Sequence, residues 1–576
     1  MDKDNVQSKK SVKVIYADFI LFIKSNAWIV VLATISGLIV YGARIFSDLV
    51  GIDSDVYMSN PYEMVFDWNL QEGRFGITLI VAVFARLLGL NSFAYNLIAL
   101  LFLIVGCVLW CFLIKRYDCR HSVNSGRNNW GIAFFVLIFM SSTVWLEIVY
   151  FTYMSAPCMI GFAMMPIAVF LMWEGIKGNN SLKILAIVIL TIGASTYQMM
   201  FALFFAGIMI VFLLESDSSY MTKAEQRHRF ISIITCTIIS IIAYFVLNFI
   251  VSRLIFGISF SSSIVSMVGG DGTGIKRKIV RILYTLYRIL IGNNYATSLF
   301  YDNVLKNPNR WPGNVLSDKI EDLTSGGWIG NILFLVALVF FLAKIIKSAR
   351  KKSFSYFIAT LGLLFSTIAI CLLGGGGASD RYLHAVPLVA AFLVYDMMDT
   401  LSDYKRWYII GVLISLVFTT RQLWSSSMLM DSDVKIYRNE VRFCQNVNSE
   451  IIELWGEKGI DYNKESNNID NPILVIGNYE FSDDKNCINN GIIGVAAVTY
   501  GSDNSKIEST LRLIPFMRLL GYYYTGIDED DERLDDLRKY AEDMACYPNK
   551  GFVQVKDGVT VIKLSDLAYT RDGEDD

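Results

Sequence analysis

Apolar runs of about 18 residues or more recur between positions 27 and 425, the length a helix needs to cross the hydrocarbon core of a bilayer. Inside lipid a segment has to satisfy its own backbone polar groups, so runs of this length fold as helices. Spanning helices are predicted near 27–46, 92–114, 130–148, 157–173, 182–196, 198–214, 230–250, 328–346, 355–373, 384–400 and 407–425, about eleven in all. The runs at 182–196 and 198–214 are short for the task. Phe75–Leu90 is also apolar, but it carries Arg86 and has only about 16 residues, which suits a helix lying in the membrane interface. Charge is correspondingly scarce: 18% of residues are charged, against about a quarter in soluble domains. The expected fold class is an all-α polytopic membrane protein with interfacial helices, followed by a small α/β domain.

Basic residues orient this topology. Lys3, Lys9, Lys10, Lys13 and Lys24 precede a first apolar run, Ala27–Phe46, that is too long for a signal-peptide core and lacks a small-x-small cleavage site. With 75–90 left out of the count, further basic clusters fall on the same side: Lys115, Arg116, Arg120 and Arg127, then Lys177 and Lys183, then Lys223, Arg227 and Arg229. Lys344, Lys347, Arg350, Lys351 and Lys352 follow, and then Lys405 and Arg406, whereas the short outer loops hold only Arg74 and Arg381. By the positive-inside rule the N-terminus is cytoplasmic and the C-terminus extracytoplasmic. The expected domains are a basic segment 1–26, a membrane domain 27–425 with outer loops 47–91 and 251–327, and an extracytoplasmic domain 426–576. Within the second loop, Ile275–Ile291 reads as an interfacial helix.

The last segment is soluble in composition, with 29 acidic and 16 basic residues from Ser426 onward. Ile473–Ile476 reads as a buried strand, Ile507–Leu520 and Glu532–Met544 as helices, and Asp557-Gly558 as the turn of a hairpin between Val553–Val555 and Val559–Leu564. An overall net charge of −2 excludes nucleic-acid binding driven by total charge, and three histidines leave little for a histidine-built metal centre. Nine cysteines without a CxxC pair give no support to a zinc ribbon or a thioredoxin-type redox site.

Candidate chemistry gathers at the outer side. Asp53 and Asp55 form an Asp-x-Asp directly after a helix end, and in extended chain such residues point the same way about 7 Å apart. That pair suits a general base with an orienting acid, or a divalent cation site; ordinary solvated loops are acidic as well. Glu147 lies near the outer end of a predicted span, where an ionisable group is a functional candidate because burying it is costly. Tyr150 and Tyr153 beside it read either as belt aromatics or as platforms for a sugar ring. Tyr197-Gln198 occupies a turn between two helices with few other polar atoms. The run from Gly374 to His384 combines glycines, which let backbone amides approach an anion, with Arg381, which suits bidentate contact with phosphate.

In this order, Asp53-Ser-Asp55, Glu72-Gly-Arg74-Phe-Gly76, Leu146-Glu147, Tyr150-Phe-Thr-Tyr153, Ser195-Thr-Tyr197-Gln198 and the tail from Tyr547-Pro548 to Leu564 resemble the Gtr-type family, the serotype-converting O-antigen glucosyltransferases of bacterial envelopes. Met154 departs from the pattern, standing where an acid is expected. The resemblance implies a GT-C-like membrane fold in the bacterial cytoplasmic membrane. It also implies transfer of glucose, or another hexose, from a polyprenyl-phosphate donor (undecaprenyl phosphate in that family) to a cell-surface glycan. On that reading Asp53 or Asp55 is the base, and Arg74 and Arg381 meet the phosphate. Glu147 binds sugar hydroxyls or shares the acid–base work, with Tyr150, Tyr153, Tyr197, Gln198 and His384 lining the substrate. No cofactor is expected, nor a metal, although Asp53 and Asp55 leave room for a divalent cation. The rival readings are a transporter or flippase of lipid-linked saccharides, marked by midplane charges or inverted repeats, and a glycan polymerase.

Overall fold

The computed structural model describes residues 12–51, 63–89, 91–118, 129–217, 221–259, 329–348, 353–369, 380–464, 470–479 and 506–566, with the single positions 54, 279, 282, 283, 286, 289, 290 and 468. The chain divides into two compact units. The first takes in 1–46, 66–149 and 153–428, the second 47–65, 150–152 and 429–576.

The helices run in chain order as α1 (Val12–Ser25), α2 (Ala27–Ile45), α3 (Glu63–Gln71), α4 (Phe75–Leu88), α5 (Ser92–Tyr117), α6 (Asn129–Met140) and α7 (Thr143–Tyr150). Then come α8 (Thr152–Ile176), α9 (Asn180–Thr196), α10 (Met200–Asp217) and α11 (Lys223–Asn248), which a π-helical turn, Phe249–Ile255, continues. The first unit closes with α12 (Ile329–Ser348), α13 (Phe354–Ser366), α14 (Ala385–Leu401) and the start of α15 (Lys405–Lys458). Among the described residues seven helical stretches are long and apolar enough to cross a membrane: 27–45, 92–117, 129–150, 152–176, 200–217, 223–255 and 405–458. This is a membrane protein. At 14 residues, α4 reaches roughly 21 Å, short of the hydrocarbon core.

Two local features differ from the sequence expectation. The run predicted as one helix over 130–148 breaks at Ser141-Ser142 without proline or glycine. There the Ser141 hydroxyl donates to Leu137 O (2.6 Å), and the Ser141 carbonyl accepts from the Ser426 hydroxyl (2.7 Å). The span predicted to end at 425 instead continues as one helix to Lys458. Of the predicted helix 275–291, the described positions are helical, with Ile279 and Leu283 exposed and Ile289 buried.

Short turns at 177–179, 197–199 and 402–404 make consecutive helices antiparallel, so their ends form two opposed sets. At one set the charges pair. Arg116 meets Asp18 at 2.9 Å, Lys177 meets Glu174 at 3.2 Å and Glu215 at 3.1 Å, and Arg229 meets Glu215 at 2.8 Å. Lys344 bridges Asp396 (2.7 Å) and Asp217 (3.4 Å), and the Tyr395 hydroxyl donates to Asp118 (2.5 Å). Helices also approach closely through glycine: a Cβ on Gly193 or Gly161 would lie 3.2 or 3.0 Å from the other's carbonyl oxygen, the tight crossing typical of membrane bundles.

In the second unit a three-stranded sheet has the order β1 (Ile473–Ile476), β3 (Val559–Lys563), β2 (Val553–Lys556), with β1 parallel and β2 antiparallel to β3. The hairpin turns at Asp557-Gly558, both at positive φ (50° and 74°), as the sequence predicts. Strand alternation splits the core. Ile473, Val475 and Ile562 pack with Phe443, Val447 and Trp455 of α15 and with Leu513 and Phe516 of α16 (Glu508–Leu519). Leu474, Ile476 and Val561 face Leu534, Leu537 and Ala541 of α17 (Leu534–Glu542). Trp455 Nε1 donates to Thr560 Oγ1 (2.8 Å), tying α15 to the central strand.

Lys344→Met removes the ammonium that two largely buried carboxylates share, and is expected to destabilise the first unit by about 3 kcal/mol. Thermal unfolding of the purified protein in detergent checks this; a midpoint equal to wild type contradicts it.

Candidate active site

The opposite set of helix ends is built around the turn that joins α3 to α4. Its amides close back on α3: Glu72 N to Trp68 O (2.9 Å), Gly73 N to Leu70 O (3.1 Å) and Arg74 N to Asn69 O (2.6 Å). Gly73 sits at φ +72°, where a side chain is strained, and a Cβ there would lie 2.8 Å from Tyr244 Oη. Gly76 lets the first turn of α4 press on the end of α9, since a Cβ there would lie 2.9 Å from the Ser195 carbonyl carbon. Between these glycines Arg74 occupies the N-cap of α4 without a capping hydrogen bond from its side chain. That position favours Ser, Thr, Asp or Asn, and the positive helix end disfavours a cation. The residue violates the local rule, which is a mark of a functional rather than a stabilising choice.

Arg74 lies over the Tyr197 ring, 4.7 Å from its centroid, and 3.9 Å from the Glu72 carboxylate. Tyr197 ends α9. Its ring stacks on Tyr382 (6.2 Å, 27°) and packs on His384 (5.0 Å), and His384 in turn meets Trp145 edge-on at 5.8 Å. Arg381 and Tyr382 belong to a single 3₁₀ turn (Asp380–Tyr382) ahead of α14, and the Arg381 guanidinium sits 5.2 Å from the Tyr382 ring. The Arg381 amide donates to Glu147 Oε2 at 2.5 Å, which anchors this turn to α7. Glu147 is 4% exposed.

Burial opposes the charge on Arg74. Tyr197, Tyr382 and Glu72 nevertheless hold its pKa above the ordinary arginine value, while the nearby Arg381 pulls it down. Burial likewise opposes Arg381, and Tyr382, Tyr197 and Glu147 outweigh it. Both guanidiniums are therefore cationic, close enough to repel, and set about a stacked tyrosine pair. Among the described residues the Tyr197 hydroxyl, Trp145 Nε1 and both nitrogens of the fully buried His384 have no hydrogen-bond partner. Each such group costs about 1–3 kcal/mol, so the cluster is not arranged for stability.

Six residues singled out from sequence thus come together: Arg74, Glu147, Tyr197, Gln198, Arg381 and His384. Gln198 Nε2 donates to Glu72 O (2.5 Å) and to Tyr244 Oη (3.1 Å). Tyr153 packs edge-on against Tyr95 at 4.8 Å, which packs against Phe84 of α4 at 5.8 Å. Tyr150 falls in the second unit, where it meets Phe151 edge-on at 5.5 Å. Asp53, Asp55 and the glycine run 374–377 lie outside the described residues. Among the described residues no three His, Cys, Asp or Glu side chains group as metal ligands.

Sequence reading passed over α11. Ser240, Tyr244 and Asn248, within the run predicted to span over 230–250, and Ser252 of the π-helical turn that continues it, are all buried and spaced by four, a polar stripe. The spacing itself was the available signal.

Apolar helices that carry such a cluster of cations, carboxylates and tyrosines at one set of ends define a membrane enzyme with a polar substrate. The chain belongs to the glucosyl transferase GtrII family, which matches residues 42–398, well over half of its length. It is a glucosyltransferase, as the sequence resemblance implied. No curated protein and no solved structure matches the chain.

Glu147→Gln keeps an oxygen to accept from the Arg381 amide but removes the charge. Glucosyl transfer is expected to fall on the order of a hundredfold with a small change in thermal stability. Transfer at the wild-type rate contradicts a role for the carboxylate.

Proposed function

We propose that the protein transfers glucose from a polyprenyl-phosphate-linked donor to a cell-surface glycan such as O-antigen, at the extracytoplasmic face of the bacterial cytoplasmic membrane, within a GT-C-like fold. The observation that carries this reading is the gathering of two cations, buried Arg74 and half-buried Arg381, about the stacked Tyr197 and Tyr382 rings. Like charges are gathered in this way where an anion binds between them, and two guanidiniums suit the donor's phosphodiester, which gains a second negative charge as it departs as a monoester.

A polyprenyl-phosphate sugar keeps its phosphate at the interface and its tail in lipid. The Arg74 end of α4 adds a helix N-terminus to the two arginines, a further feature favourable to phosphate. In the reaction the bond between the anomeric carbon and the phosphate oxygen breaks, with its electron pair leaving on the phosphate. The acceptor hydroxyl oxygen bonds the anomeric carbon, and its proton passes to Asp53 or Asp55. Glu147, Tyr197 and His384 hold the sugars. Arginine stabilises the departing charge as it develops, so no metal is required for that step. The orientation is supported by the paired basic residues Arg116, Lys177, Arg229 and Lys344 at the other set of helix ends, which the positive-inside rule places in the cytoplasm.

Deleting the gene and analysing the surface polysaccharide tests the reading: loss of a side-branch hexose is expected. Complementation with Asp53→Asn or Asp55→Asn is expected to fail for at least one variant at equal expression, and chelator in a membrane assay is expected to leave transfer unchanged. Unaltered glycan with altered export would instead support a transporter of lipid-linked saccharides.

A further inference from the structure

The stripe on α11 points at the turn that carries Arg74. Tyr244 Oη donates to Gly73 O (2.8 Å), and Gln198 Nε2 donates to Glu72 O (2.5 Å) and to Tyr244 Oη (3.1 Å). The Ser252 hydroxyl lies 3.2 Å from Leu70 O and 3.1 Å from Asn248 Oδ1. The carbonyls of the two residues before Arg74, and of the end of α3, are therefore held from one side by α11 and from another by the α9–α10 turn. Stacking of Phe75 on Tyr244 (6.3 Å) and packing of Phe201 against it (5.8 Å) fix the tyrosine ring independently of its hydroxyl.

Direction in this network is set by proton count. A glutamine amide has two protons, and both are used here, on Glu72 O and on Tyr244 Oη. The single tyrosine proton goes to Gly73 O. Gln198 then has no donor left for a ligand, whereas the Arg74 Nε and the Tyr197 hydroxyl have no partner among the described residues. Its neighbour Tyr197 is in contact with Arg74, but the glutamine holds the backbone behind it.

We infer that Gln198 and Tyr244, backed by Asn248 and Ser252, clamp the carbonyls of Glu72 and Gly73 and thereby fix the Arg74 guanidinium over the Tyr197 ring. Gln198 is a positioning residue, with both amide protons spent on the clamp and only its carbonyl oxygen left to accept from a ligand. The role in catalysis rests on Arg74 meeting the donor phosphate; the clamp itself does not. Misplacing a catalytic cation by about 1 Å costs up to a hundredfold in rate, so losing part of the clamp has a smaller but measurable effect.

The test uses the full-length protein in nanodiscs, with Tyr244→Phe and Gln198→Asn made alone and each combined with Arg74→Gln. Tyr244→Phe keeps the ring packing, and Gln198→Asn keeps an amide that is too short to reach both acceptors. Hydrogen exchange is expected to accelerate at amides within 70–78 in either variant while the middle of α11 stays unchanged. Unchanged exchange at 70–78 overturns the clamp whatever the donor. With polyprenyl-phosphate-glucose as substrate, each variant is expected to lose about tenfold in kcat/KM when Arg74 is present and less than about twofold in the Arg74→Gln background. A general structural defect gives the same loss in both backgrounds, and that result overturns the positioning role. Faster exchange in a protein whose wild type does not turn over this donor upholds the clamp and removes the proposed donor instead.

Discussion

A charged side chain in hydrocarbon is expensive, and the apolar helices of the first unit push their ionisable groups to their ends. The two sets of ends use those groups differently. At one, Arg116 with Asp18, Lys177 with Glu215, and Lys344 with Asp396 pair at 2.7–3.1 Å and serve as a structural belt. At the other, Arg74 and Arg381 lie near enough to oppose one another, and the aromatic groups between them include buried polar atoms without partners among the described residues. The first arrangement pairs its charges with one another, while the second leaves buried aromatic donors without partners among the described residues. Only the second makes sense as a place where something binds.

The site depends on close backbone approach at a single turn. Gly73 and Gly76 let residues 72–76 fit between the end of α9 and the face of α11, and the same turn begins α4 with an arginine at its least favourable position. Two short irregular segments, 72–74 and 381–384, thus bring cations to one tyrosine stack from positions about 300 residues apart in sequence. The Glu147 carboxylate contributes by holding the second segment through its backbone amide.

Much of this was legible in the sequence, for identifiable reasons. Arg74, Glu147, Tyr197 and Arg381 stand out because polar residues at the margins of apolar runs are few. In the second unit, Asp557-Gly558 signals its hairpin because both positions need positive φ. The parallel pairing of β1 with β3 joins strands more than 80 residues apart and leaves no local trace. The break at Ser141-Ser142 was hidden because a hydrogen bond from Ser426, not a breaker residue, accompanies it. The continuation of α15 to Lys458 was hidden because composition changes at 426 while helix-compatible residues go on. The stripe on α11 was hidden by the apolar residues that surround it, and Gln198 was visible as polar but not as a donor to backbone.

The most direct test of the central claim is calorimetric titration of the purified protein with a short-chain polyprenyl phosphate. Wild type is expected to bind it, and Arg74→Gln combined with Arg381→Gln is expected to weaken binding by at least about a hundredfold with the fold intact. Equal affinity in the two proteins would contradict the assignment of these two cations to the phosphate.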